Sequence, residues 1–99
     1  MIETEKIITQ EQEKLARYAK ALSHPVRVYI VKLLDKHTFC FSGDLAEELP
    51  IARSTLSQHL KELKKSGLIK ANIEHPKIRY FLNTDNWDEA KKLFTRFFW

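Results

Sequence analysis

Residues 53–69 read RSTLSQHLKELKKSGLI, and this stretch decides the fold. Leu56, Leu60 and Leu63 recur at spacings of four and three residues, which places them on one face of a helix. Gly67 follows the last turn, where glycine readily adopts the left-handed backbone conformation that ends many helices. The stretch therefore predicts an amphipathic helix that buries its leucine stripe and stops at Gly67.

The remaining faces of this helix, over about residues 53–66, carry polar and cationic side chains. At 100° per residue, the positions opposite or beside the leucine stripe are Arg53, Ser54, Thr55, Ser57, Gln58, Lys61, Lys64 and Lys65. Short donors and acceptors near the start of a helix suit base edges in a major groove, and lysines suit phosphates. An ordinary solvated helix face has the same pattern, so the surrounding elements must decide between the two.

Apolar and polar residues alternate over residues 69–83, directly after the helix. Pro76 and its neighbours interrupt the alternation, which predicts a β-hairpin with its tip near residues 74–77. One face of the hairpin must be buried, and this requirement fixes its register. The other face carries Lys77 and Arg79, whose charges suit phosphate contacts.

Cap residues mark the start of three helices upstream. Thr9 with Gln12 fits a capping box. Pro25 fits the first turn of a second helix, where its missing N–H costs nothing. After a short segment of strand character near residues 38–41, Ser42 is expected to be the N-cap of a brief third helix. This third helix leads through a short turn into the helix with the leucine stripe.

The predicted order of elements is α-α-β-α-α-β-β-α. The third and fourth helices, joined through Pro50 and Ile51, are typical of a helix-turn-helix, and the hairpin over residues 69–83 makes a wing behind it. The fold class is therefore mainly α with a small β-hairpin. Because the sequence contains no linker, repeat or low-complexity segment, residues 1–99 are expected to form a single winged helix-turn-helix domain.

A last helix is predicted over about residues 85–99, with Thr84 or Asp85 as its cap, and it ends in Phe-Phe-Trp. One helix cannot bury so many aromatic side chains against so small a body, and a contiguous exposed patch usually marks an interface. We therefore expect the first helix, about residues 9–22, and the last helix to pack across a two-fold axis. The residues expected at this homodimer interface are Ile8, Leu15, Tyr18, Leu22, Trp87, Phe94, Phe97 and Phe98. A ligand pocket lined by the same aromatics is the alternative.

The net charge of +4 is concentrated in one part of the chain. Residues 51–83 hold seven Lys or Arg against two Glu, which is an excess of five positive charges, whereas the other segments are nearly neutral. A clustered basic segment is expected of a polyanion-binding protein. Double-stranded DNA is therefore the favoured partner. A winged helix that docks its basic face on an acidic partner protein is the alternative.

Composition argues against several classes of protein. No stretch approaches the roughly 20 apolar residues of a membrane helix, so no membrane partner is expected. The chain has only two glycines, no phosphate-binding loop and no recognisable nucleophile and base, so neither an enzyme nor a cofactor is expected. The single Cys40 cannot form an intrachain disulfide, which favours a reducing, cytoplasmic location.

Two single residues admit more than one interpretation. Cys40 lies between two phenylalanines and is expected to be a small buried side chain, with a redox or ligand role as the alternative. His59 flanks the leucine stripe, which favours a packed, hydrogen-bonded role over direct contact with DNA. Its protonation could also tune affinity with pH.

Three segments resemble the ArsR/SmtB-type winged-helix regulators. They are ALSHPVRVYIVKLL at residues 21–34, DLAEEL at 44–49 and RSTLSQHLKELKKSGLI at 53–69. The resemblance implies a dimeric transcription factor that binds palindromic operator DNA, usually as a repressor. It also implies that the recognition helix carries Ser54, Thr55, Ser57, Gln58 and Lys61, and that His75, Lys77 and Arg79 lie on or near the wing.

The sequence departs from that family at its metal-sensing motifs. Many relatives carry Cys-x-Cys-Asp-Leu at the start of the third helix, but here Phe41 and Gly43 occupy the two cysteine positions before Asp44. Other relatives sense zinc through acid and histidine pairs on the last helix, and residues 84–99 contain no histidine. No metal site is therefore expected. A small apolar ligand, a redox signal through Cys40 and no effector at all are the alternatives that stay open.

Overall fold

The computed structural model describes residues 7–99 and confirms the predicted order of elements. The helices and strands, in chain order, are α1 (Gln10–Ala21), α2 (Pro25–Lys36), β1 (Cys40–Phe41), α3 (Ser42–Glu48), α4 (Arg53–Ser66), β2 (Ile69–Glu74), β3 (Lys77–Leu82) and α5 (Thr84–Phe98). Among these residues, none of the helices is both long enough and apolar enough to cross a lipid bilayer.

The starts of α1 and α2 follow the predicted cap chemistry. Thr9 Oγ1 accepts a hydrogen bond from the Gln12 N–H at 3.1 Å, and the Gln12 side chain accepts one from the Thr9 N–H at 3.0 Å. Pro25 is in the first turn of α2, as expected. His24 caps this helix, because its Nδ1 accepts a hydrogen bond from the Val26 N–H at 3.1 Å.

Two predicted caps are wrong. Ser42 is the first residue of α3 rather than its N-cap; Phe41 takes that position because its pairing with β3 holds it extended. Asn83, not Thr84 or Asp85, caps α5 through a hydrogen bond of 3.2 Å from the Asn86 N–H to its Oδ1. In both cases the neighbouring strand runs directly into the helix, so the last extended residue becomes the cap.

The three strands form an antiparallel sheet in the order β1-β3-β2. The hairpin turns at His75 and Pro76, as the alternation predicts. Ile69 and Leu82 face each other near the base of the hairpin and are buried. Ile73 lies on the same face but is 59% exposed, because the tip of the hairpin extends beyond the body of the domain. The hairpin therefore projects as a wing.

The core lies between the helices and the inner face of the sheet. The leucine stripe of α4 is buried as predicted, and Leu63 has no exposed surface. The stripe packs with apolar residues of the other elements, which are Tyr18, Ala21, Ile30, Val31, Leu34, Leu45, Leu49, Leu68, Ile69, Leu82, Ala90 and Leu93. Gly67 ends α4 at a φ of 88°, which confirms the predicted left-handed position.

Polar contacts as well as apolar ones join α1 to α5. Glu89 of α5 accepts a hydrogen bond from the Tyr18 hydroxyl at 2.8 Å and pairs with Lys14 at 3.1 Å. Arg96 pairs with Glu11 at 2.6 Å. The hydrogen bonds from Tyr18 and Lys14 lower the pKa of the Glu89 carboxyl, and burial is the main cause that raises the pKa of Tyr18. These contacts therefore hold α1 and α5 of the same chain against each other.

Candidate nucleic-acid interface

The polar face of α4 is open to solvent. Burial of the leucine stripe turns the other positions of the helix outward, and the exposed residues are Arg53, Ser54, Thr55, Ser57, Gln58, Lys61, Lys64 and Lys65. Within residues 7–99, none of these eight side chains makes a hydrogen bond or an ion pair. Their hydrogen-bonding groups are therefore available to a partner along the whole length of the helix.

The start of α4 and the tip of the wing border one groove. Arg53 and Lys77 line this open groove of about 290 Å³ together with Phe41 and the first residues of α3. Two cationic side chains from separate elements thus border one surface, which also includes the acidic side chain of Asp44. A groove of this kind can accommodate a phosphate backbone, which interacts favourably with fixed positive charges.

The wing carries the other predicted contact residues. His75 and Lys77 are exposed at or beside its tip, and the side chain of Arg79 is 34% exposed. Arg79 forms an ion pair with Glu74 across the hairpin. Sequence reasoning missed the aromatic neighbours of these cations. Phe39 and Phe41 lie beneath Arg79 and Lys77, and the only signal for this was the short strand character of residues 38–41.

A histidine pair joins the start of α2 to the middle of α4. The ring centroids of His24 and His59 are 4.2 Å apart, so His59 is packed as expected, but among the described residues its side chain lacks the hydrogen bond that was also expected. Burial is the main cause that lowers the pKa of His59, and the charges of His24 and Arg27 lower it further. The Nε of Arg27 is buried without a hydrogen-bond partner among the described residues. Protonation of His59 would add a positive charge at this contact and is therefore unfavourable.

Acid is expected to weaken the fold through His59. Its pKa in the folded chain is below the ordinary value of 6.5, so the unfolded chain binds more protons as the pH falls through this range. The stabilising effect is fully present above pH of about 6.5 and is lost as the pH falls through the folded pKa. The free energy of unfolding, measured with urea at pH 7.5 and 5.5, should therefore be smaller at pH 5.5.

The control for this prediction is a second histidine. His59→Gln should remove much of the difference between the two pH values, whereas His37→Gln, which changes an exposed residue after α2, should leave it unchanged. Glu89 also has a lowered pKa, but its contribution is lost only as the pH falls through about 4.5 and below. An equal acid effect in the wild type and His59→Gln would contradict the prediction.

The apolar residues expected at a homodimer interface divide into two groups. Ile8, Phe97 and Phe98 are exposed, the last two by 68% and 69%. The other five belong at least partly to the core of their own chain: Tyr18 is 1% exposed, and the half-buried ones are Leu15, Leu22, Trp87 and Phe94. Phe97 lines a groove with Leu15 and other residues of the start of α1, so the end of α5 lies beside the start of α1.

Cys40 is half-buried and packs against the core. Burial is the main cause that raises the pKa of its thiol, and the charges of Asp44 and Glu48 add to this. The protonated thiol is the less reactive form, which favours the packing role over the redox alternative. In the part of the chain that the structure describes, no three His, Cys, Asp or Glu side chains are grouped so that they could hold a metal ion.

The fold and the open face of α4 define a winged helix-turn-helix protein. The family model described as "Bacterial regulatory protein, arsR family" matches residues 24–71, which include α2, α3 and α4. The HTH-type transcriptional regulator CmtR of Mycobacterium tuberculosis is 42% identical over 72 residues. This match covers 72% of the chain and 59% of CmtR, so the chain spans less than two thirds of that relative.

Two further comparisons cover more of the related protein. The biofilm growth-associated repressor of Xylella fastidiosa is 33% identical over 79 residues, which are 80% of this chain and 68% of the repressor. The solved structure of HlyU from Vibrio cholerae superposes with a TM-score of 0.75 at 26% identity, over 87% of this chain and 94% of that one. The chain therefore belongs to the ArsR family of transcriptional regulators, whose members are not enzymes, and the resemblance found in the sequence is confirmed.

Proposed function

We propose that the protein is a homodimeric, sequence-specific repressor that binds palindromic operator DNA in the cytoplasm. In this proposal α4 enters the major groove, and the wing contacts the neighbouring backbone. The observation that carries the proposal is the polar face of α4, which is exposed and unpaired along its length within the described chain. Arg53 of α4 also borders the same groove as Lys77 of the wing, and solvation of the helix face alone does not explain this arrangement.

In this proposal, some side chains of α4 contact DNA bases and others contact the DNA backbone. Gln58 can make two hydrogen bonds to adenine, and Arg53 can make two to guanine. Ser54, Thr55 and Ser57 can donate to or accept from either kind of base edge. Lysines further along the helix suit phosphates, which orient the protein but carry no sequence information.

A dimer suits this mode of binding. Two recognition helices about 34 Å apart would meet successive major grooves on one side of a duplex. The exposed aromatics at the end of α5 supply an apolar surface for the second copy. The relative from Xylella fastidiosa is named a repressor, which supports repression rather than activation for this chain.

Substitutions on α4 should separate base contacts from backbone contacts. Gln58→Ala is expected to weaken binding to the DNA upstream of the gene that encodes the protein by about tenfold, with little effect on unrelated DNA. Lys65→Ala should weaken both about equally and make the dependence on salt shallower by about two units of slope, because the dimer loses one phosphate contact from each subunit. Fluorescence anisotropy at several salt concentrations measures both effects. The wild-type dimer should give a slope near −5 if each subunit neutralises about three phosphates.

Lys92→Ala is the matched control, because Lys92 is an exposed lysine on α5, away from α4 and the wing. It should leave both affinities unchanged. A salt-independent affinity would contradict the electrostatic part of the proposal. Absence of any DNA binding, together with an intact complex between the basic face and an acidic protein, would instead favour the protein-interaction module.

A further inference from the structure

The outer face of the sheet carries a cluster of two aromatic rings, which the proposed DNA contacts do not include, and two wing cations, which they do. Phe41 pairs directly with Arg79, so their side chains lie on the same face, and Phe39 and Lys77 share it because they lie two residues away along each strand. The opposite face holds Cys40 and other residues that pack against the core. The cluster therefore faces away from the core.

Each cation of the cluster lies over one ring. The guanidinium carbon of Arg79 is 5.0 Å from the centroid of the Phe39 ring. The Nζ of Lys77 is 4.9 Å from the centroid of the Phe41 ring. The two rings meet edge to face, with centroids 5.2 Å apart and planes at 74°. Both distances are within the range of about 6 Å over which the negative face of an aromatic ring attracts a cation.

Burial in the core does not explain this arrangement. Phe39 is 36% exposed, so it keeps a large apolar surface outside the core, partly covered by Arg79. Within the described chain the side chain of Arg79 has one polar partner, Glu74, and its buried Nε has none. The direction of this guanidinium is therefore set by the ring beneath it and by one carboxylate, rather than by a set of hydrogen bonds.

We propose that Phe39 and Phe41 are positioning residues of the DNA site, which hold Arg79 and Lys77 of the wing ready for phosphates. A free Lys or Arg side chain loses rotamer entropy when it is fixed against a phosphate, and a side chain that is already held loses less. The inference rests on the proposed function, since it assigns to β1 and the residue before it a part in the same DNA contact. It adds two residues that act through these cations and that belong to neither α4 nor the hairpin.

Glu74 has the opposite effect in this proposal. Its side chain is 52% exposed, and its carboxylate neutralises Arg79 in the free protein. A DNA phosphate must compete with this carboxylate for Arg79, and the carboxylate also repels the phosphate. Glu74→Gln keeps the length of the side chain and removes its charge. This variant should therefore bind DNA more tightly, by about threefold, with no new contact to the bases.

The position of the cations can be measured without DNA. An aromatic ring shifts the NMR signals of protons that lie over its face. In the free wild-type protein, the ε-methylene protons of Lys77 and the δ-methylene protons of Arg79 should therefore be shifted upfield. Phe41→Leu should abolish the shift for Lys77 and keep that for Arg79, and Phe39→Leu should do the reverse. Phe41→Tyr, which keeps an aromatic face, should retain the shift for Lys77.

A double-mutant cycle tests whether Phe41 acts through Lys77. Phe41→Leu should weaken binding to specific and unrelated DNA alike by about threefold, whereas Phe41→Tyr should bind as the wild type does. Lys77→Ala should weaken binding more than Phe41→Leu does, and adding Phe41→Leu to Lys77→Ala should then leave the affinity for DNA unchanged. This non-additivity separates a positioning role from a general loss of stability, which would weaken both backgrounds equally.

The outcomes distinguish this inference from the proposed function. If the wild type binds no DNA, both proposals are overturned, and the NMR shifts still decide whether the rings hold the cations. If the wild type binds DNA but Phe41→Leu lowers the affinity by the same factor in the wild type and in Lys77→Ala, only the positioning role is overturned. Unshifted Lys77 and Arg79 protons in the free protein would overturn it as well.

Discussion

The double variant Phe97→Ser, Phe98→Ser is expected to be monomeric and to bind a two-half-site operator at least about 100-fold more weakly than the wild type. In a dimer, binding of the first recognition helix brings the second to its half-site at a high effective concentration. Loss of the dimer removes this gain without changing any contact between α4 and the bases. Binding to an isolated half-site should therefore be nearly unaffected.

These two residues are suitable because most of their surface lies outside the core of the single chain. Phe97 and Phe98 are exposed by about two thirds, and their rings contact each other edge to face at 5.3 Å. Serine at these positions removes apolar surface from the end of α5 without opening a cavity in the core. Tyr18 would be unsuitable, since it is 1% exposed and its hydroxyl donates to Glu89.

Sedimentation measures the first part of the prediction, and anisotropy with full and half operators measures the second. The mass should fall from that of two 11.7 kDa chains to that of one. Val28→Ser is the matched control, because Val28 is also a partly exposed apolar residue, 43% exposed, but lies on α2. A variant that stays dimeric would reject the proposed interface, and so would a wild type that sediments as one chain.

Local patterns predicted much of the architecture. The spacing of Leu56, Leu60 and Leu63 depends only on helical geometry, so the buried stripe and the outward polar face of α4 followed from it. Gly67 and the Thr9–Gln12 box were predictable for the same reason, since helix ends depend on residues within one turn. For the candidate site, this reasoning identified the residues of α4 and the cations of the wing.

Features that depend on contacts between distant segments were not predictable in this way. Phe41 became a helix cap because β3 pairs with it from almost 40 residues further along the chain. The exposure of Ile73 reflects how far the hairpin extends past the body, which alternation alone does not encode. The rings beneath Lys77 and Arg79 lie there because β1 pairs with β3, and no local pattern at residues 38–41 specifies that pairing.

Gly67 both ends α4 and contacts α5, which is distant in the sequence. Gly67→Ala is therefore expected to lower the free energy of unfolding by about 2 kcal/mol. The φ of 88° is one that residues with a Cβ rarely adopt. An added Cβ would also lie 2.9 Å from Nδ2 of Asn86. That Nδ2 donates a hydrogen bond of 2.8 Å to the Gly67 carbonyl, which ties the end of α4 to α5. Relief of the clash must therefore strain or break this link.

Gly43→Ala is the matched control, because it makes the same chemical change at the other glycine of the chain. A Cβ at Gly43 meets no atom within 4 Å, and the residue lies in α3, where alanine is the better helix former. This variant should be as stable as the wild type or slightly more so. Thermal unfolding followed by circular dichroism should show a midpoint about 8–16 °C lower for Gly67→Ala and no decrease for Gly43→Ala. Equal midpoints for the two variants would mean that α4 does not need the left-handed residue at its end.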